Sequence, residues 1–117
     1  MSFLWSRSEA ELPELKSTQE CDTLFGQELT IFFKHSPTCP LSLFAHREVM
    51  RFRTARPDAP VYMVSVRRQR DIARHIAERT GIRHESPQVV VVRGGNVIGS
   101  ASHDEITADL LGSLTSA

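Results

Sequence analysis

Apolar residues gather into short dense blocks, and the stretches between those blocks repeat at helical spacing. Leu29 to Lys34 and Val61 to Val66 are dense apolar runs, the pattern of strands buried on both faces. Gln88 to Arg93 is a third such run, introduced by Pro87. Gly94-Gly95-Asn96 then predicts a tight turn, with Val97 to Ser100 returning as a hairpin partner. A helix is expected from Pro40 to about Arg56, with Leu41, Ala45, Val49 and Phe52 on its inner face. Pro57 ends it. Gln69 to Thr80 is a second helix, with Ile72, Ala73, Ile76 and Ala77 on one side and Gly81 as its stop. Ser17 or Thr18 can cap a shorter helix that runs to Phe25, with Gly26 at its end. Ser102 and Glu105 have the spacing of a capping box, which predicts a last helix to about Leu114 with Ile106, Leu110 and Leu114 inward. Leu12 to Leu15 reads as a short edge strand, where Pro13 is tolerated because an edge need not donate on its outer side.

Strands that alternate with helices call for an α/β architecture with right-handed crossovers, and the closing hairpin adds antiparallel strands. The expected fold is a central mixed sheet flanked by helices on both faces. It spans residues 12–117 as one domain, after a polar N-terminal extension over residues 1–11. This order, with a cysteine after the second predicted strand and a proline before the fourth, is the thioredoxin layout. By that analogy Ser86-Pro87 is a cis peptide bond beside the cysteine, a state local sequence alone does not select.

The chain has 117 residues, 40% apolar and 24% charged, which suits one globular domain. Net charge is zero but unevenly spread. Residues 1–40 carry three basic and six acidic groups, residues 41–93 eleven and five, and residues 94–117 none and three. The middle segment can therefore present a positive face toward an anionic ligand. Nucleic acid is a poor fit, since no nucleic-acid module is present and the chain is neutral. No run approaches the roughly 20 apolar residues of a membrane helix, and the first residues lack the core of a signal peptide. A cytoplasmic location is expected, with Cys21 and Cys39 as reduced thiols.

Cys39 follows a predicted strand and a loop containing Pro37, and directly precedes Pro40, a residue suited to open a helix. Unpaired N–H groups and the dipole at a helix N-terminus favour thiolate, the nucleophilic form. A cation from Lys34 or His35 would add to this. His35 and Cys39 alone do not fill a tetrahedral metal shell, so no metal is expected. Three residues on, where a dithiol motif has its second cysteine, stands Ser42. Cys39 can therefore form a mixed disulfide, and an outside thiol must resolve it. The Ser42 hydroxyl can donate to the thiolate and lower its pKa. Cys21 has no flanking residues that suggest activation. Ser86 and Pro87 would offer backbone to an extended peptide or peptide-like thiol. Arg67, Arg68 and Arg70 follow the third predicted strand at its C-terminal end, the edge where open α/β sheets bind ligands.

The segments Phe33-Lys34-His35-Ser36-Pro37-Thr38-Cys39-Pro40-Leu41-Ser42 and His84-Glu85-Ser86-Pro87-Gln88 resemble the monothiol bacilliredoxins, thioredoxin-like proteins of the bacillithiol system. Ser102-His103 followed by Ile106-Thr107 is similar to that family's closing segment. The resemblance covers residues 12–114 and leaves residues 1–11 without a counterpart. It implies that Cys39, with Ser42, removes bacillithiol from proteins that carry it as a mixed disulfide. Bacillithiol then serves as thiol co-substrate, with no tightly bound cofactor, and the partners are bacillithiolated client proteins. It further implies a substrate site built from His35, Pro40, Ser86 and Pro87, with Arg67, Arg68 and Arg70 toward the carboxylates of bacillithiol. The competing readings are a glutathione-dependent monothiol glutaredoxin, whose usual motif has Gly and an aromatic where this chain has Pro40 and Leu41, and a non-catalytic thioredoxin-like module that binds clients or senses redox state.

Overall fold

The computed structural model describes residues 12–36 and 40–116. The N-terminal extension expected over residues 1–11 lies outside them, as does Cys39. The elements are α1 (Thr18–Phe25), β1 (Thr30–His35), α2 (Pro40–Ala55), β2 (Val61–Ser65), α3 (Arg70–Thr80), β3 (Gln88–Arg93), β4 (Asn96–Ser102) and α4 (Ala108–Thr115). The four strands form one mixed sheet in the order β2-β1-β3-β4. β1 runs parallel to β2, with Ile31 opposite Val61 and His35 opposite Ser65. β3 is antiparallel to both β1 and β4.

Alternation along β1 sorts the core into two layers. Ile31 and Phe33 face Ala45, Val49 and Phe52 of α2 and Leu111 of α4. Phe32 faces Cys21 and Phe25 of α1 and Ile72, Ala73 and Ile76 of α3. The sheet is thus covered on both sides, which is why β1 and β3 are buried almost throughout and show no polar face. An exposed cluster joins the helices of the second layer. The Asp22 carboxylate accepts from His75 Nε2 at 2.7 Å and from Arg79 at 2.8 Å, and the Arg79 guanidinium lies 4.6 Å from the Phe25 ring centroid.

Capping follows the sequence closely at two helices. The Ser17 hydroxyl accepts from the Glu20 amide at 3.0 Å. Gly81 closes α3 in the left-handed conformation, φ 72°. Gly94 and Gly95 both have positive φ, as a two-residue hairpin turn requires.

Three expectations change. The stretch Leu12 to Leu15 is not a full strand. It makes one parallel bridge, Glu14 to Met63, with Leu15 N–H donating to the Met63 carbonyl and Met63 N–H to that of Pro13. The capping box at Ser102 and Glu105 exists, but it opens a 3-10 turn over His103–Glu105. Thr107 then caps α4 anew, and Leu111 takes the fully buried place expected for Leu110 and Leu114, which are partly buried. On α2 the inward residue of the first turn is Ser42, fully buried, while Leu41 is 44% exposed. Ala45, Val49 and Phe52 fix the phase of the helix, and both Leu41 and Ser42 lie at its margin. Ser42 can turn inward because its hydroxyl finds a partner there.

Candidate functional site

The C-terminal end of β1, the first turn of α2 and the loop before β3 meet at one edge of the sheet. Cys39 itself lies outside the described residues, between Ser36 and Pro40, and Pro40 is the first residue of α2. Ser42 Oγ accepts the Ser36 N–H at 3.2 Å, closing the loop that contains Cys39 from its two sides. A hydroxyl that accepts one bond still has its proton to donate.

The Ser86-Pro87 bond is cis, as the fold analogy anticipated. Pro87 is buried, and its carbonyl accepts the His103 N–H at 2.9 Å. His103 Nε2 also lies 3.3 Å from Glu85 Oε1. Gln88 Nε2 donates to the Arg83 carbonyl and to Ser102 Oγ. The loop is therefore held from both ends. Ser86 Oγ is buried and has no hydrogen-bond partner among the described residues.

His35 and Lys34 are each held by their own neighbours. The His35 ring is half-buried beside Phe33 and packs at a tilt against His46 of α2, centroids 5.2 Å apart. Burial, and to a lesser degree the neighbouring His46, hold the His35 pKa below its ordinary value, so the ring is neutral near pH 7. Burial lowers His46 too. Lys34 is fully buried in the opposite layer, where its ammonium reaches His84 Nδ1 at 3.2 Å. Burial lowers its pKa to about 8.

The three arginines separate. Arg68 donates to Glu14 at 2.7 Å and so points to the chain's N-terminal edge. Arg67 is exposed and has no side-chain partner among the described residues. Arg70 lines a cleft of about 300 Å³ with Val66, Ala73, Arg74, Ala77 and His84. The sequence pattern brings Lys34 and His84 near this edge but not their pairing, and it gives no sign of His46 or Arg74 there. Lys34 shares the parity of Phe32, which would have placed it inward, but a strand buried on both faces offers no polar side to make the lysine conspicuous.

Cys21 is fully buried against Phe25, Phe32 and Ile72, in the layer opposite α2. Burial, reinforced by Asp22, pushes its thiol pKa up to about 12. Among the described residues no group of three or more His, Cys, Asp or Glu could hold a metal ion. No helix there is long and apolar enough to cross a membrane.

A strand-to-helix junction opposite a cis proline, in a sheet of this order, defines a thioredoxin fold, and solved structures agree. One, described as a candidate oxidoreductase with a thioredoxin fold, is 27% identical with a TM-score of 0.84, covering 90% of this chain and 94% of its own. Thioredoxin from Trypanosoma brucei brucei is 13% identical with a TM-score of 0.71, covering 91% of this chain and 88% of its own. Mitochondrial thioredoxin 3 from Saccharomyces cerevisiae is 17% identical with a TM-score of 0.68, covering 91% and 94%. Residues 11–111 match the family model described as monothiol bacilliredoxin BrxC. The chain belongs to the monothiol bacilliredoxin family, and its chemistry is thiol-disulfide redox exchange.

Proposed function

We propose that this protein removes bacillithiol from protein mixed disulfides using Cys39 as its single reactive thiol. The observation that carries the reading is Ser42. It occupies the place of a second cysteine, fully buried, with its oxygen engaged by the Ser36 amide. Cys21 offers no internal substitute, because it lies in the other core layer with its thiol strongly protonated.

The exchange has two steps. Cys39 thiolate attacks the bacillithiol sulfur of the client disulfide, and the client thiolate leaves. Free bacillithiol thiolate then attacks the adduct on Cys39, which releases bacillithiol disulfide and restores Cys39 thiolate. Direct hydrogen bonding from Ser42 and the N-terminal amides of α2 favours the thiolate in both steps. Pro40 sets the start of that helix. The backbone beside the cis Ser86-Pro87 bond suits an extended, peptide-like thiol, and the unpartnered Ser86 hydroxyl adds one donor. The neutral His35 ring forms the wall toward α2. Arg70 supplies positive charge at the cleft, and Arg67 and Arg68 sit farther out along the same connection. The clients are bacillithiolated proteins, no cofactor is held tightly, and the fitting location is a cytoplasm with a reduced thiol pool.

The test is one client protein prepared with bacillithiol or with glutathione as its mixed disulfide. The expected result is turnover of the bacillithiol form by wild type, loss in Cys39→Ala, and retention in Cys21→Ala. Equal turnover of both forms would instead favour a glutathione-dependent glutaredoxin. Binding of the client without release would favour a non-catalytic module.

A further inference from the structure

The cleft between the end of β2 and the flank of α3 that carries Arg70, Ala73, Arg74 and Ala77 has the makings of a ligand site. Its floor is apolar, from Val66, Ala73 and Ala77. Its rim is basic, from Arg70, Arg74 and His84. Arg70 and Arg74 lie four residues apart on α3 and project from neighbouring turns. Neither has an ion-pair partner among the described residues, whereas Arg79 on the same helix is tied to Asp22. Two guanidinium groups so placed match a carboxylate pair by geometry as well as charge.

Behind the rim, Lys34 is a fully buried cation whose polar contact is His84 Nδ1 at 3.2 Å. An ammonium only donates, so Nδ1 accepts and the neutral imidazole keeps its proton on Nε2. That N–H is left to donate to a ligand in the cleft. Two of the residues that line the cleft are tied to the end of β1 and to the cis bond. Val66 N–H donates to the His35 carbonyl at 3.0 Å, and His84 stands two residues before the cis Ser86-Pro87 bond.

We propose that this cleft binds the carboxylate-bearing end of the small thiol co-substrate, with Arg70, Arg74 and His84 Nε2–H as its polar contacts and the apolar floor under its middle. This rests on the reading that Cys39 exchanges with a low-molecular-weight thiol, and it adds where the far end of that thiol sits. Arg74 and His84 then enter the site, and Arg68, paired with Glu14, does not.

The direct test needs no turnover. Isotope-labelled Cys39→Ser protein is titrated with succinate, acetate and inorganic phosphate while backbone amide shifts are followed. Succinate should move Val66, Ala73, Ala77 and His84 at millimolar concentration, more strongly than acetate or phosphate. The double variant Arg70→Ala/Arg74→Ala should lose these shifts, and Arg70→Lys/Arg74→Lys should keep part of them. In turnover the alanine pair should raise KM for the thiol by on the order of a hundredfold, the loss expected for two charge-assisted contacts. Succinate shifts elsewhere, equal shifts in the alanine variant, or phosphate binding as well as succinate would overturn the site. Failure of bacillithiol turnover with the succinate shifts intact would count against the thiol's identity and leave the cleft standing.

Discussion

The Ser42 hydroxyl can make two hydrogen bonds, one as acceptor and one as donor. Its oxygen holds the Ser36 amide, and its proton remains to be donated. Ser42→Ala should therefore raise the Cys39 thiol pKa, read from the pH dependence of alkylation, and should cost about 1 kcal/mol of stability by removing the bond that Ser42 accepts from the Ser36 amide. Lys34 has the opposite balance. Its folded pKa, about 8, lies below the ordinary 10.5, so the unfolded chain binds the extra proton between those values and stability rises with pH across that window. Lys34→Met removes the buried charge and should stabilise the fold by on the order of 1–3 kcal/mol at pH 7, with the gain fading by pH 10. Urea unfolding at the two pH values measures it. Cys21, pushed up to about 12, should resist iodoacetamide at pH 8 until the chain is unfolded.

At the scale of elements, most of the secondary structure was legible because each segment carried its own punctuation. Pro40, Gly81, Gly94-Gly95 and Ser17 mark ends through φ restriction, positive φ or a capping oxygen, and these are properties of single residues. The errors arose where tertiary contacts decide. Periodicity alone puts Leu41 on the inner face of α2, but Ser42 has the Ser36 amide to hold and Leu41 does not. The Ser102 capping box was read as the start of a long helix, but the last helix begins at Thr107, whose hydroxyl accepts from the Leu110 amide at 3.1 Å. A contact invisible to local pattern fixes that start from outside. Glu48 on α2 accepts the Ala108 N–H of α4 at 2.9 Å, and this bond holds its carboxyl below the usual range. The depressed folded pKa means stability present above the ordinary carboxylate value of 4.5 and lost as pH falls through the folded one. Glu48→Ala should then cost about 1 kcal/mol near pH 7, with the difference from wild type narrowing in acid. Thermal or urea unfolding at the two pH values would show it.

Across the whole molecule, the sheet order and the cysteine-before-proline junction were readable because alternating strands and helices leave few topologies. The end of the sheet where β1, α2 and the cis loop meet followed from that topology. Its membership did not. Arg68 and Arg70 are two apart in sequence, yet one pairs with Glu14 and the other borders the cleft. His84 gains its place by pairing with Lys34, fifty residues earlier in the chain. The two core layers also place Cys21 and α2 on opposite sides of the sheet, which is the physical reason to expect a resolving thiol from outside. The most direct measurement of that claim is intact-protein mass spectrometry after one turnover with a bacillithiolated client and no added thiol. The expected result is bacillithiol attached to Cys39 and Cys21 left as free thiol. A Cys21–Cys39 disulfide, or an unmodified Cys39 after client release, would contradict it.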